Sequence, residues 1–113
     1  MFIYVNGEFV NQEEARISPY DHGFLYGLGL FETFAVVDGH PFLLDDHFRR
    51  LHSGLSDLQI QWTYSRSDVM NVVQELLDRN DLTNAYVRWN VSAGNEDVAC
   101  IRGYIVSHLL LYL

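Results

Sequence analysis

The residues able to do chemistry in this 113-residue chain are mostly arginines and histidines, because it contains no lysine: all seven basic residues are Arg16, Arg49, Arg50, Arg66, Arg79, Arg88 and Arg102. Any mechanism that needs a lysine amine is therefore outside the chain's inventory. A guanidinium presents a fixed fork of donors that matches carboxylate and phosphate oxygens and keeps its charge at every physiological pH. His22, His40, His47 and His52 raise the question of a metal or acid–base site, and His47 and His52 lie five residues apart. One helical face needs three or four. With a single cysteine, Cys100, and no His-Glu-x-x-His, no metal site is expected. Asp45-Asp46 reads as a helix start, since acids there complement the helix dipole.

Between Ser18 and Gly29, Gly23, Gly27 and Gly29 are interleaved with Asp21, His22 and aromatics. Such a run suits a tight loop whose backbone approaches something closely, and it is expected to form part of a site.

The elements that must position these groups are legible from pattern. Phe2–Val5 and Glu8–Val10 flank Asn6-Gly7, a strong two-residue hairpin signal. Leu30–Val37 is β-like, Asp38-Gly39 forms a second turn, and Pro41-Phe42-Leu43-Leu44 is expected to return as a strand. Asp45 is expected to cap a helix whose apolar residues Phe48, Leu51, Leu55 and Leu58 recur at the helical period. Ser65 and Asp68 have the spacing of a capping box, and Val69, Val72, Val73, Leu76 and Leu77 follow on one face. Asn80-Asp81 ends that helix. Ala85–Val91 then alternates, with Val87, Trp89 and Val91 facing one way and Tyr86, Arg88 and Asn90 the other. The order predicts an α+β fold, an antiparallel-rich sheet with two packed amphipathic helices.

Composition bounds the function. The formal net charge of −8 repels phosphate backbones and anionic lipid, so neither nucleic acid nor membrane is an expected partner. The 49% hydrophobic content is that of a folding globular chain. One cysteine allows no internal disulfide, the opening residues read as a strand and not as a signal peptide, and a cytoplasmic location is expected.

The run Ser18-Pro19-Tyr20-Asp21-His22-Gly23-Phe24-Leu25-Tyr26-Gly27-Leu28-Gly29-Leu30-Phe31-Glu32-Thr33-Phe34 resembles the signature loop of fold-type IV pyridoxal-phosphate enzymes, the class IV aminotransferase family. The likeness continues through Asp38-Gly39, His47-Phe48-Arg49-Arg50-Leu51, Tyr86-Val87-Arg88 and Ser92-Ala93-Gly94. Phe31-Glu32-Thr33 is similar to the lyase and D-amino-acid branches, and the surrounding wording to aminodeoxychorismate lyases of the Bacillus type. Ala35 departs from it, because relatives often carry a basic residue there.

The resemblance implies the small N-terminal domain of the D-amino-acid aminotransferase-like fold. It implies that Arg50 binds the cofactor phosphate, that Arg88 meets a substrate carboxylate, and that Phe31 lines the substrate pocket. From the residues alone, Arg50 reads as a solvated helix arginine, Arg88 as half of a surface ion pair, and Phe31 as core. In the lyase branch the reaction converts aminodeoxychorismate to 4-aminobenzoate and pyruvate for folate synthesis. It depends on a Schiff-base lysine carried by a second domain. This chain has no such lysine, so no catalytic residue is assigned and covalent attachment of pyridoxal phosphate is not expected.

Residues 1–97 carry the likeness, whereas 98–113 do not, and a break that sharp suggests a shifted reading frame near residue 97. The apolar Leu109–Leu113 end would pack as a substitute strand or promote aggregation. Two functional readings stand: an N-terminal fragment of the lyase, or of a D-amino-acid or branched-chain aminotransferase, inactive alone; and a non-catalytic dimerisation or binding module. A domain without its neighbour exposes apolar surface, so a homodimer is expected under both.

Overall fold

The computed structural model describes residues 1–95, 105–106 and 108–112. Asn6-Gly7, both at positive φ, turns β1 (Phe2–Val5) into β2 (Glu8–Asn11). A five-residue helix, α1 (His22–Tyr26), interrupts the glycine-bearing loop before β3 (Gly29–Val37). Asp38-Gly39, again at positive φ, leads into β4. That strand contains only His40–Pro41, so the longer return expected through Leu44 does not form. Instead, Leu43 adopts a left-handed conformation at the N-cap, and α2 (Leu44–Asp57) begins one residue before Asp45. Asp45 and Asp46 sit in the first turn, where their charges still favour the helix dipole.

The short β5 (Ile60–Gln61) precedes α3 (Arg66–Arg79), whose start is the reciprocal pair foreseen from sequence. Ser65 Oγ accepts from the Asp68 amide and the Asp68 carboxylate accepts from the Ser65 amide. Strand β6 (Ala85–Ser92) follows, then β7 (Ile105–Val106) and β8 (His108–Tyr112).

The main sheet has the order β2-β1-β8-β6-β3-β4 with antiparallel neighbours, and β5 pairs with β7 in parallel. The architecture is α+β, with α2 and α3 sharing one core with the sheet. Strand β8 lies between β1 and β6, so residues 108–112 form an interior strand. Alternation in β3 and β6 sends Phe34, Val36, Val87, Trp89 and Val91 into the core with Leu51 and Leu55 of α2 and Val69, Val73, Leu76 and Leu77 of α3. Burying side chains of this size contributes about 1.5–3 kcal/mol each. Trp89 is fully buried, with Phe48 and Trp62 rings 5.8 and 5.5 Å away, centre to centre.

Asn80 fastens α3 to the sheet. Its side chain accepts from the Phe2 amide at 2.8 Å and donates to the Phe2 and Leu76 carbonyls at 3.0 and 2.9 Å.

Candidate functional site

Two stretches of sequence, 18–34 and 92–94, meet at one end of the β3–β6 pair. Asp21 is buried and caps α1: one carboxylate oxygen accepts from the Gly23 amide at 2.7 Å and the other from Ser92 Oγ at 2.9 Å. The His22 amide donates to Gly94 and the Ala93 amide to Leu28, so the loop is bolted to the end of β6. Gly27 ends α1 at φ 67°, a left-handed position natural to glycine. A Cβ on Gly29 would lie 2.7 Å from the Val91 carbonyl oxygen, which explains why only glycine fits where the loop enters β3. The loop's outer side presents Tyr20, Phe24 and Tyr26 to solvent.

Beyond the loop, β3 directs consecutive residues to opposite faces. Phe31 points to the open face and is 56% exposed, so it is not a core aromatic. In the β3–β6 register Thr33 lies opposite Arg88 and Phe31 opposite Asn90. The Arg88 guanidinium stacks over the Phe31 ring, 4.0 Å from its centre, and its Nε donates to Asn90 Oδ1 at 3.0 Å. The two residues assigned to the substrate are thus brought together, with Asn90 orienting the arginine. No surface carboxylate among the described residues pairs with Arg88.

Arg50 is on the other face. Glu32, next to Phe31 in sequence, turns inward and is only 6% exposed. Its Oε1 accepts from Arg50 Nε at 2.5 Å and its Oε2 from Arg50 Nη2 at 2.6 Å, while His47 Nδ1 is 2.8 Å from Oε2. These hydrogen bonds from Arg50 hold the Glu32 carboxyl below the usual carboxylate range; burial opposes the shift and His47 adds to it. The Arg50 pKa is raised further by the same contact with Glu32. The outer part of the Arg50 side chain stays largely open to solvent.

Strand β4 pairs with β3 only at Val36 and Val37. The β3 edge at Phe31 and Glu32 is therefore not covered by β4, and the two clusters flank that open edge, one on each face of the sheet. Two open depressions on the helices, one lined by Asn71, Gln74, Glu75, Asp78 and Arg79 and one by Asp45, Phe48, Arg49 and His52, include none of the three candidates.

Sequence reasoning passed over Glu32 and set His47 aside. The missed signal was alternation itself: Glu32 shares a register with buried Phe34 and Val36, and an acid in that register requires a partner. His52 lies on Phe48 in a stacked arrangement, away from Glu32. Among the described residues no group of three or more His, Cys, Asp or Glu side chains is arranged to hold a metal ion.

The family model for amino-transferase class IV matches residues 29–113. Aminodeoxychorismate lyase of Bacillus subtilis (strain 168) is 50% identical over 97 residues, which are 84% of this chain and 33% of that protein. A putative branched-chain-amino-acid aminotransferase of Methanocaldococcus jannaschii is 40% identical over 98 residues, covering 87% of this chain and 34% of its own length. The solved branched-chain amino acid aminotransferase from Escherichia coli superposes with a TM-score of 0.84 at 26% identity, over 97% of this chain and 39% of that one. The chain spans about a third of the length of the curated relatives it matches.

Proposed function

The chain belongs to the class IV aminotransferase family, whose members depend on pyridoxal phosphate, and we propose from that membership that it is the N-terminal part of an aminodeoxychorismate lyase. The observation that carries the finer reading is the 50% identity to the Bacillus subtilis lyase, which exceeds the identity to the aminotransferase from Methanocaldococcus jannaschii. In this reading the substrate is aminodeoxychorismate, pyruvate is expelled, and the remaining product, 4-aminobenzoate, serves folate synthesis.

The donor set fits one end of the cofactor. Arg50 turns its Nε and Nη2 toward Glu32, and Nη2 also lies 3.4 Å from His47 Nδ1, which leaves the two Nη1 hydrogens of the solvent-exposed guanidinium for a phosphate. It does not fit covalent anchoring, because the chain supplies no lysine. When bound, the cofactor supplies the electron sink that chemistry at an α-carbon requires. What this chain contributes is placement: Arg50 holds the phosphate, Arg88 meets a substrate carboxylate, and Phe31 gives an apolar wall beside it. Asn90 and Phe31 together fix the Arg88 guanidinium before substrate arrives, which lowers the ordering cost of binding.

The chain alone is then catalytically inert, and turnover needs a polypeptide that brings the lysine. In this proposal residues 1–97 carry the family likeness, the frame shifts near residue 97 within the stretch to 113 that the family model still matches, and the assembled enzyme is a cytoplasmic dimer. The test is to add the lysine-bearing remainder of the Bacillus subtilis lyase in trans and measure 4-aminobenzoate. Production of 4-aminobenzoate by the mixture and not by either part supports the proposal. A folded complex that instead transfers the amino group of D-alanine to 2-oxoglutarate replaces the lyase reading with an aminotransferase one. The exposed Tyr20, Phe24 and Tyr26 favour a second reading, a non-catalytic association module, and a folded complex with neither activity selects it.

A further inference from the structure

We infer that Glu32, flanked by His47, is the positioning residue that holds the Arg50 guanidinium in the orientation a phosphate must meet. The inference rests on the reading of Arg50 as the phosphate ligand and goes one step behind it.

The geometry is that of a clamp built on rigid elements. Glu32 stands near the middle of a nine-residue strand, opposite Trp89 in the register with β6. Its carboxylate is buried, whereas the arginine it grips is open to water. His47 and Arg50 are three residues apart on α2, hence neighbours on one helical face, and both reach the same carboxylate. A free arginine samples many rotamers, and ordering it on ligand binding weakens affinity by roughly two- to tenfold. Here that ordering is already present. The carboxylate takes the Nε–Nη2 side of the fork and His47 Nδ1 lies 3.4 Å from Nη2, so Nη1 is the part of the fork left unspent on the exposed side chain.

Charge works against position. Removing the carboxylate would also remove a negative charge near the incoming anion, and that gain would mask the lost orientation. Glu32→Asp avoids the problem: the charge stays, but a carboxylate one methylene shorter cannot keep both contacts from the strand.

The experiment uses the 113-residue chain, labelled with 15N, and pyridoxamine 5′-phosphate, which has no aldehyde to react with the N-terminal amine. Pyridoxamine serves as the control without phosphate. In the wild type, Arg50 Nε–H should exchange with water more slowly than Arg49 Nε–H and should shift saturably with the phosphate ligand only. Glu32→Asp should weaken that binding roughly two- to tenfold. In an Arg50→Lys background, where no fork remains to be oriented, the same change should have no further effect.

If Arg50→Lys weakens binding but Glu32→Asp does not, the positioning inference is wrong while the phosphate reading stands. If Arg50→Lys binds like the wild type, the orientation of a fork does not matter and the positioning inference is wrong; if the wild type shows no saturable binding, the phosphate reading fails and the inference goes with it. Should Glu32→Asp not fold, wild-type exchange decides: Arg50 Nε–H exchanging as fast as that of Arg49 overturns the inference.

Discussion

Replacing Glu32 by Gln should destabilise the chain at neutral pH by an amount that disappears in acid. The side chain keeps its length, so the change removes charge and little volume. The wild-type carboxylate makes three contacts of 2.5 to 2.8 Å with Arg50 and His47. Hydrogen bonds to charged groups contribute about 1.5–3 kcal/mol each when shielded. Water reaches the arginine side of this cluster and the amide oxygen of Gln still accepts one bond, so the net loss is expected near 2 kcal/mol. At a urea slope of about 1.5 kcal/mol per molar, the unfolding midpoint moves down by roughly 1.3 M. Fluorescence of Trp62 and buried Trp89 reports the transition. The sign with pH follows from the direction of the shift: the carboxyl in the folded state lies below its ordinary value of 4.5, so its contribution is complete above that value and is lost as pH falls through the folded pKa. Wild type and variant should therefore converge in acid. A gap that persists unchanged to pH 3, or no gap at pH 7, would refute the account of Glu32 as a buried, arginine-held carboxylate.

Asn80→Asp should lower the thermal midpoint by roughly 8 °C, because a carboxylate can accept from the Phe2 amide but cannot donate to the Phe2 and Leu76 carbonyls, a loss of about 2 kcal/mol. Gly29→Ala should cost about 1–3 kcal/mol in the same melt, since its methyl would press on the Val91 carbonyl oxygen. Arg88→Gln should weaken 4-aminobenzoate binding about tenfold by calorimetry, the loss of one charge-assisted carboxylate contact. It should leave pyridoxamine 5′-phosphate affinity unchanged, because Arg50 occupies the opposite face of β3.

Local chemistry was the legible part of this fold. Both tight turns announced themselves as Asn-Gly and Asp-Gly, and α3 was marked by its periodicity and the Ser65–Asp68 pair. The start of α2 was misplaced because Asp45 has the chemistry of a cap, whereas the chain leaving β4 reaches helical geometry earlier, through a left-handed Leu43 that no propensity favours. Helix α1 escaped notice since five residues cannot display a period of 3.6. In the site, Arg88 could be placed beside Tyr86 and Asn90 from alternation alone. Its stacking on Phe31 depends on which strand pairs with β6, and that is set by the whole sheet. The Glu32–His47–Arg50 cluster joins residues 15 and 18 apart on different elements, beyond the reach of local pattern.

The place of β8 in the sheet has a kinetic consequence. Its residues come after every other described strand, yet they separate the first hairpin from β6. On a ribosome, β1 and β2 emerge early and then wait for roughly a hundred further residues before their neighbour exists. During that interval the flank of β1 that will receive β8 and the matching flank of β6 both offer free amides and carbonyls to any passing strand. Assembly of this sheet is thus governed by a late, long-range closure, of the kind that slows folding and leaves intermediates open to self-association.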